Sequence, residues 1–270
     1  MSPQNTSNLW ATLCQDLQNE RQSVEAAKHH LAADSFVNAA RAVFGSRPKR
    51  LAEALEIAGD VHQSAGGIEQ ARDSYVEAVS IAMDLADIPV CVRMLMKLGA
   101  VYESLGDLPN AKNVYRHGIK LTQETHYAAD LPVLLNNLSD VEKRMGRFTD
   151  AERHYQRSID IATTLHGQSH PEVATLLNNF GVFHLERGDD IRAENLHTQA
   201  LAIREKVYGA THPEVARSLH NLAVVFQSRG DFQKAKAYYE AALSTFQQYV
   251  GPEDRELQTL IKNYRTLPVA

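Results

Sequence analysis

The chain has 270 residues, with 28 Lys plus Arg against 33 Asp plus Glu, so its net charge of −5 offers no basic excess for nucleic acid or an anionic membrane surface. Two cysteines, Cys14 and Cys91, are too few for a disulfide framework and imply a reducing, cytoplasmic setting. No run approaches the roughly 18 apolar residues of a membrane span, and the opening MSPQNTSNLWATLCQDL has neither the cationic head nor the apolar run of a secretory signal.

Val, Ile and Thr never gather in alternating runs. Apolar residues instead recur three and four apart, which specifies an all-α chain. Residues 8–44 carry Leu9, Leu13, Leu17, Val24, Leu31, Phe36, Val37 and Val43 at roughly helical spacing. They predict one or two helices, forming an N-terminal cap or a degenerate repeat over 1–50, with SRPKR (46–50) as the connecting loop.

A repeat then sets in. Gly66, Gly106, Gly146, Gly188 and Gly230 are spaced by 40, 40, 42 and 42 residues. Five residues after each stands Ala71, Ala111, Ala151, Ala193 or Ala235. Four further on stands Tyr75, Tyr115, Tyr155, His197 or Tyr239, and three beyond that a small residue, Ala78, Gly118, Ser158, Ala200 or Ala242. Eight before each glycine is an apolar residue: Ala58, Leu98, Leu138, Phe180 or Leu222. The glycine ends a first helix in a left-handed turn, the small residues admit a second helix at close range, and the aromatic fills the remaining volume. Each unit is thus a helical hairpin that buries its apolar face only against its neighbours. Five such units are expected, over 51–88, 89–128, 129–169, 170–211 and 212–250. Leu257, Leu260, Ile261 and Tyr264 predict a last helix that caps the array over 251–270.

The last two complete units are written almost alike. From His170 and His212 to Asp189 and Asp231, 11 of 20 aligned positions are identical. Ser169-x-x-Glu172 and Thr211-x-x-Glu214 fit capping boxes at helix starts, with Pro171 and Pro213 in the first turn.

This pattern resembles the tetratricopeptide repeat, whose usual unit is about 34 residues. The surplus should lengthen both helices and the inter-repeat loop. The 40-residue units around ARDSYVEAVSIA and AKNVYRHGIKL resemble those of LGN-type G-protein adaptors, and the 42-residue units with HPEV, LLNN and ALAIREKVYG resemble those of kinesin light chains. The resemblance covers about residues 51–250 and implies a right-handed superhelical solenoid of about five helical hairpins, with N-terminal helices and a C-terminal capping helix.

Signatures of chemistry are missing. The sequence has no GxSxG, no glycine-rich phosphate loop, no HExxH and no CxxC, so no catalytic residue, cofactor or metal site is expected. His166 and His170 are four apart in HGQSH, but further ligands at metal-binding spacing do not accompany them, and the equivalent of His166 is Tyr208. His184 and His197 stand where sister units are apolar or aromatic, as core imidazoles.

One polar feature exceeds what packing requires. Asn137, Asn179 and Asn221 each precede the apolar first-helix residue, and Asn136, Asn178 and His220 precede them in turn. Asn is a mediocre helix former, so its recurrence at one mid-helix position needs a reason. One reason is structural: an amide can bridge first helices of adjacent units. The other follows from the resemblance, which implies first helices lining a concave groove and asparagines that hold an extended peptide backbone. The groove is expected to present Asn136, Asn137, Asn178, Asn179, Asn221, His220, Arg93, Lys97, Arg144 and Arg217, with Asp140 among them and with Glu53, Glu56 and Asp60 making its N-terminal part acidic. The carboxylate clamp of chaperone co-factors is not reproduced, since Asp140, Val182 and Val224 follow the asparagines at the decisive spacing.

The leading expectation is a non-enzymatic scaffold or adaptor that binds a protein or peptide segment, with no nucleic acid and no membrane insertion. A second reading is a self-assembling scaffold, a homo-oligomer joined through its ends. A third is a bacterial peptide-sensing regulator or a metal-binding protein. It is disfavoured because no helix-turn-helix domain precedes the repeats; nor does a heptad run, which argues against an intact kinesin light chain.

Overall fold

The computed structural model describes residues 26–45 and 48–268. Leu9, Leu13, Cys14, Leu17 and Val24 lie outside them. The described residues form twelve helices and no strand. These are α1 (Ala26–Phe44), α2 (Pro48–Ser64), α3 (Ile68–Asp84), α4 (Ile88–Ser104), α5 (Leu108–Glu124), α6 (Leu131–Arg144), α7 (Phe148–His166), α8 (Pro171–Glu186), α9 (Asp190–Tyr208), α10 (Pro213–Ser228), α11 (Phe232–Phe246) and α12 (Arg255–Arg265). Two compact units share them, Met1–Gly146 and Arg147–Ala270, and the boundary falls in the turn between α6 and α7.

Consecutive helices pack antiparallel-fashion within each unit: α2 on α3, α4 on α5, α8 on α9 and α10 on α11, with α3 also on α4 and α9 on α10. The glycine frame explains the turns. Gly188 and Gly230 have φ of 77° and 76°, a left-handed conformation that costs a residue with Cβ energy. The following Asp189 and Asp231 cap the next helix by accepting from the N–H of Arg192 and Lys234 at 3.1 and 3.2 Å. Asp87 and Asp107 do the same in the first unit.

The aromatic series is buried throughout. Tyr75, Tyr115, Tyr155, His197 and Tyr239 are all fully or almost fully buried, as are the alanines four residues before them. Substituting Ala193 by Leu should therefore overpack this contact and lower stability by about 1–3 kcal/mol, read from urea unfolding. Curves that overlay the wild type would contradict the register.

Three expectations change. The helix starts at HPEV are not Ser/Thr capping boxes. His170 and His212 are the N-caps, and their Nδ1 atoms accept from the N–H of Glu172 and Glu214 at 3.3 and 3.2 Å. The imidazole sits one residue closer to the first turn, so Ser169 is free to accept from Lys206 Nζ at 3.1 Å. Pro48–Arg50 are the first turn of α2 and not loop, because proline at a helix start loses no hydrogen bond. Leu31, read as part of the apolar stripe of α1, is exposed, while Phe36, Val37 and Phe44 form the buried face. Relative to the 40-residue units, the two extra residues of the 42-residue units lie in the second helices: α7 and α9 have 19 residues where α3 and α5 have 17.

At the C-terminus, α12 lays Leu257 and Leu260 on the α10–α11 hairpin. Its outward residues Arg255, Gln258, Thr259, Lys262 and Arg265 are exposed and polar. Asp254 caps it by accepting from the N–H groups of Glu256 and Leu257 at 2.9 and 3.0 Å.

Candidate functional site

The first-helix polar residues are organised by one recurring arrangement. A buried ring from the second helix and a donor from the next first helix converge on a single acceptor. In the Met1–Gly146 unit the acceptors are carboxylates. Tyr75 Oη donates to Asp60 Oδ1 at 2.6 Å, and Lys97 Nζ donates to the same carboxylate at 2.7 and 2.8 Å. Tyr115 Oη donates to Glu103 Oε1 at 2.7 Å, and Arg144 donates to Glu103 Oε2 at 3.1 Å. Arg93 makes a two-pronged pair with Glu56, both bonds at 2.9 Å. Burial pushes the Glu56 carboxyl up, but the bonds from Arg93 and Lys97 outweigh it and hold the pKa below the usual value. Burial, reinforced by the Asp60 carboxylate, raises the Tyr75 phenol, and burial with Glu103 raises Tyr115.

In the Arg147–Ala270 unit the acceptor is a neutral amide. His197 Nδ1 is 3.1 Å from Asn178 Oδ1, and Asn221 Nδ2 donates to the same oxygen at 2.5 Å. His197 is completely buried, and burial, with the Arg204 charge nearby, pushes its pKa down to about 4. The ring is therefore neutral at neutral pH, and its Nδ1–H is the proton that Asn178 accepts. Arg204 is also buried, with its Nη2 3.1 Å from a Glu214 carboxylate oxygen and its Nη1 donating to Ser218 Oγ at 2.9 Å. Asn178 and Asn221 line a cleft of about 310 Å³ together with Arg217, Arg255, Glu256 and Phe246.

The expected groove residues divide accordingly. Arg93, Lys97 and Arg144 all reach back to carboxylates of the preceding repeat, so the expected acidic N-terminal stretch and its basic neighbour largely neutralise one another. Arg217 pairs with Glu214 on its own helix and with Glu256 of α12, the latter at 2.8 Å. Asn136 is buried, its Nδ2 3.4 Å from Asp140 Oδ2. Asn137 is half-buried and hydrogen-bonds the Tyr115 phenol. Asn179 is half-buried beside Phe180. His220 receives Asn263 Nδ2 of α12 on its Nε2 at 3.0 Å, and burial lowers its pKa. The structure thus joins Asn178, Asn221, Arg217 and His220 in one place, and Arg93 with Lys97 in another.

His166 and His170 stack at 4.5 Å, as do Tyr208 and His212 at 4.4 Å in the next repeat. With the Nδ1 of His170 used as a helix cap, this pair is a loop contact. Among the described residues no group of three or more His, Cys, Asp or Glu side chains is arranged to hold a metal ion, and no helix is long and apolar enough to cross a membrane.

Spacing placed His197 as a core imidazole, which it is, without its link to Asn178, and did not single out Arg204 or Arg255. A signal for His197 was present, since it breaks a series of tyrosines. Leu185, three residues before Gly188, likewise breaks a series whose other members include Gln63, Glu103 and Gln227.

Tetratricopeptide repeat models match residues 92–125, 130–206 and 172–248, together just over half of the chain. The chain belongs to the tetratricopeptide repeat family. Among solved structures it is similar to BtubC (BKLC) from P. vanneervenii, at 27% identity and a TM-score of 0.72, covering 86% of this chain and 96% of that one. It is also similar to a putative kinesin light chain with nearly identical TPR-like repeats from Podosopora anserina, at 18% identity and a TM-score of 0.62, covering 75% and 97%. Among curated proteins no sequence matches. The repeat family as a whole supplies protein-interaction scaffolds, and this chain has that fold.

Proposed function

We propose that the chain is a non-enzymatic cytoplasmic scaffold whose first-helix face in the Arg147–Ala270 unit binds an extended peptide segment of a partner protein. The observation that carries this reading is the Asn178–Asn221 pair beside an open cleft. Asn221 reaches back to Asn178 and bridges two first helices, so its structural role is real. That bridge uses the Asn178 oxygen and one Asn221 N–H. It leaves the Asn178 N–H groups and the Asn221 oxygen for a second set of partners. Donor and acceptor side by side match the alternating N–H and C=O of an extended backbone and select no particular side chain.

In the Met1–Gly146 unit the corresponding carboxylates are already met by Lys97 and Arg144. Those clusters serve packing between repeats more than recruitment. The self-assembly reading gains nothing from α12, whose outward face is polar and offers no apolar patch to a second copy.

A random peptide display library selected on the intact protein tests the proposal. Selected peptides should bind Asn178→Ala/Asn221→Ala at least about tenfold more weakly, or 1.4 kcal/mol, while circular dichroism stays helical. Unchanged binding would place the peptide elsewhere and end this reading.

A further inference from the structure

We infer that His197 is a positioning residue that locks the Asn178 amide with both N–H groups turned to the cleft, making this half-site a reader of hydrogen-bond acceptors on a bound peptide. This deepens the peptide-binding reading and rests on it.

Two donors meet Asn178 Oδ1, His197 Nδ1 at 3.1 Å and Asn221 Nδ2 at 2.5 Å. Rotating the amide by half a turn would set its NH₂ group against both donors. The turned state keeps both bonds only if Asn221 turns as well and the imidazole moves its proton to Nε2, which is buried without a hydrogen-bond partner, and an N–H left unpaired there costs about 1–3 kcal/mol. The orientation is therefore fixed before any ligand arrives. Nδ2 of Asn178 makes no hydrogen bond among the described residues, and the side chain lines the cleft. A rigid donor pair facing an open site is a preorganised contact, which saves the ligand the cost of ordering it.

The surrounding residues suit that role and depart from the other hairpins in a coordinated way. In three hairpins a tyrosine reaches a carboxylate or amide further along the first helix: Tyr75 to Asp60, Tyr115 to Glu103 and Tyr239 to Gln227. Here the ring is the shorter His197, and the residue in the place of Glu103 and Gln227 is Leu185. A tyrosine hydroxyl would find no acceptor at Leu185; the imidazole instead turns its N–H to Asn178. Gly181 leaves room for the ring, as Gly59 and Gly99 do for Tyr75 and Tyr115, so the ring and the residue at 185 are what differ here. The neighbouring cations favour the same ligand chemistry. Arg217 borders the cleft but is paired with Glu214 and with Glu256, itself a lining residue, so the cation left for a ligand is Arg255, the first residue of α12, which forms no ion pair among the described residues. A peptide carbonyl or a side-chain carboxylate is the group such a site would read.

The test exchanges the lock for the arrangement of the sister hairpins. His197→Tyr with Leu185→Gln supplies the tyrosine with an acceptor and leaves Asn178 without its buried donor. Side-chain N–H signals of ¹⁵N-labelled protein are compared first. The wild type should show a slowly exchanging His197 Nδ1–H, held by the Asn178 oxygen, and the double variant should show the Asn178 amide signals shifted. The peptides selected on the wild type are then measured on both proteins, and the variant should bind about tenfold more weakly. Should the double variant melt early, His197→Phe, which keeps a buried ring and removes the N–H, is read in the same two assays. Unchanged Asn178 signals, or unchanged affinity for peptides that still need Asn178 and Asn221, would overturn the lock and leave the groove reading standing. Peptides indifferent to Asn178 and Asn221 would overturn both.

Discussion

Acidification from pH 6.5 to 4 should cost the Arg147–Ala270 unit about 3 kcal/mol through His197 alone. The folded protein holds this imidazole neutral, with a pKa pushed from 6.5 to about 4, chiefly by burial. The unfolded chain takes up the proton at the ordinary value. Protons therefore favour the unfolded state throughout that window. The stability is fully present above pH 6.5 and declines as the pH falls towards 4. His184 and His220, both lowered mainly by burial, act in the same direction. Urea unfolding at pH 7.5 and 4.5 measures the loss. The His197→Tyr/Leu185→Gln variant isolates the share of His197, because its slope with pH should be shallower. Equal slopes in both proteins would show that the His197 imidazole is not buried neutral.

The second large effect belongs to the Met1–Gly146 unit. Lys112 of α5 and Glu142 of α6 form an ion pair at 3.2 Å and are only 8% and 3% exposed. Glu142→Ala should destabilise by about 3–5 kcal/mol, since it strands a buried ammonium. Lys112→Met combined with Glu142→Leu should recover most of that loss, because two apolar chains of similar volume need no solvation. Denaturant midpoints of the three proteins decide the matter. A single variant as stable as the wild type, or a double variant worse than the single, would contradict the burial of the pair. The same pair joins consecutive hairpins, so its strength bears on how tightly the repeats hold together.

The hairpin frame was legible because it depends on residue size and backbone conformation. Gly188 and Gly230 announce left-handed turns, Ala193 and Ala235 announce close helix contacts, and the tyrosine series announces the volume they enclose. Helix-start chemistry was legible only by type. Ser169 and His170 are adjacent, both can accept a hydrogen bond, and spacing alone does not choose between them. The charged face was legible as a set of residues and not as a field. Arg93, Lys97 and Arg144 lie on first helices, and their long side chains reach back to Glu56, Asp60 and Glu103; periodicity carries no information on that reach. The asparagine ladder divided for the same reason. Asn136 turned inward, Asn137 joined Tyr115, and Asn178 with Asn221 met across repeats. Which way an amide points depends on its neighbours, and the decisive neighbour, His197, is one repeat position where the chain departs from its own pattern.

The central claim is that a partner's main chain lies against Asn178 and Asn221. A crystal structure of the protein with a library-selected peptide tests it most directly. The account predicts a peptide oxygen within hydrogen-bond distance of Asn178 Nδ2, a peptide N–H donating to Asn221 Oδ1, and His197 still bonded to Asn178 Oδ1. A peptide seated on the second-helix surface, with the Asn178 cleft unoccupied, would contradict it.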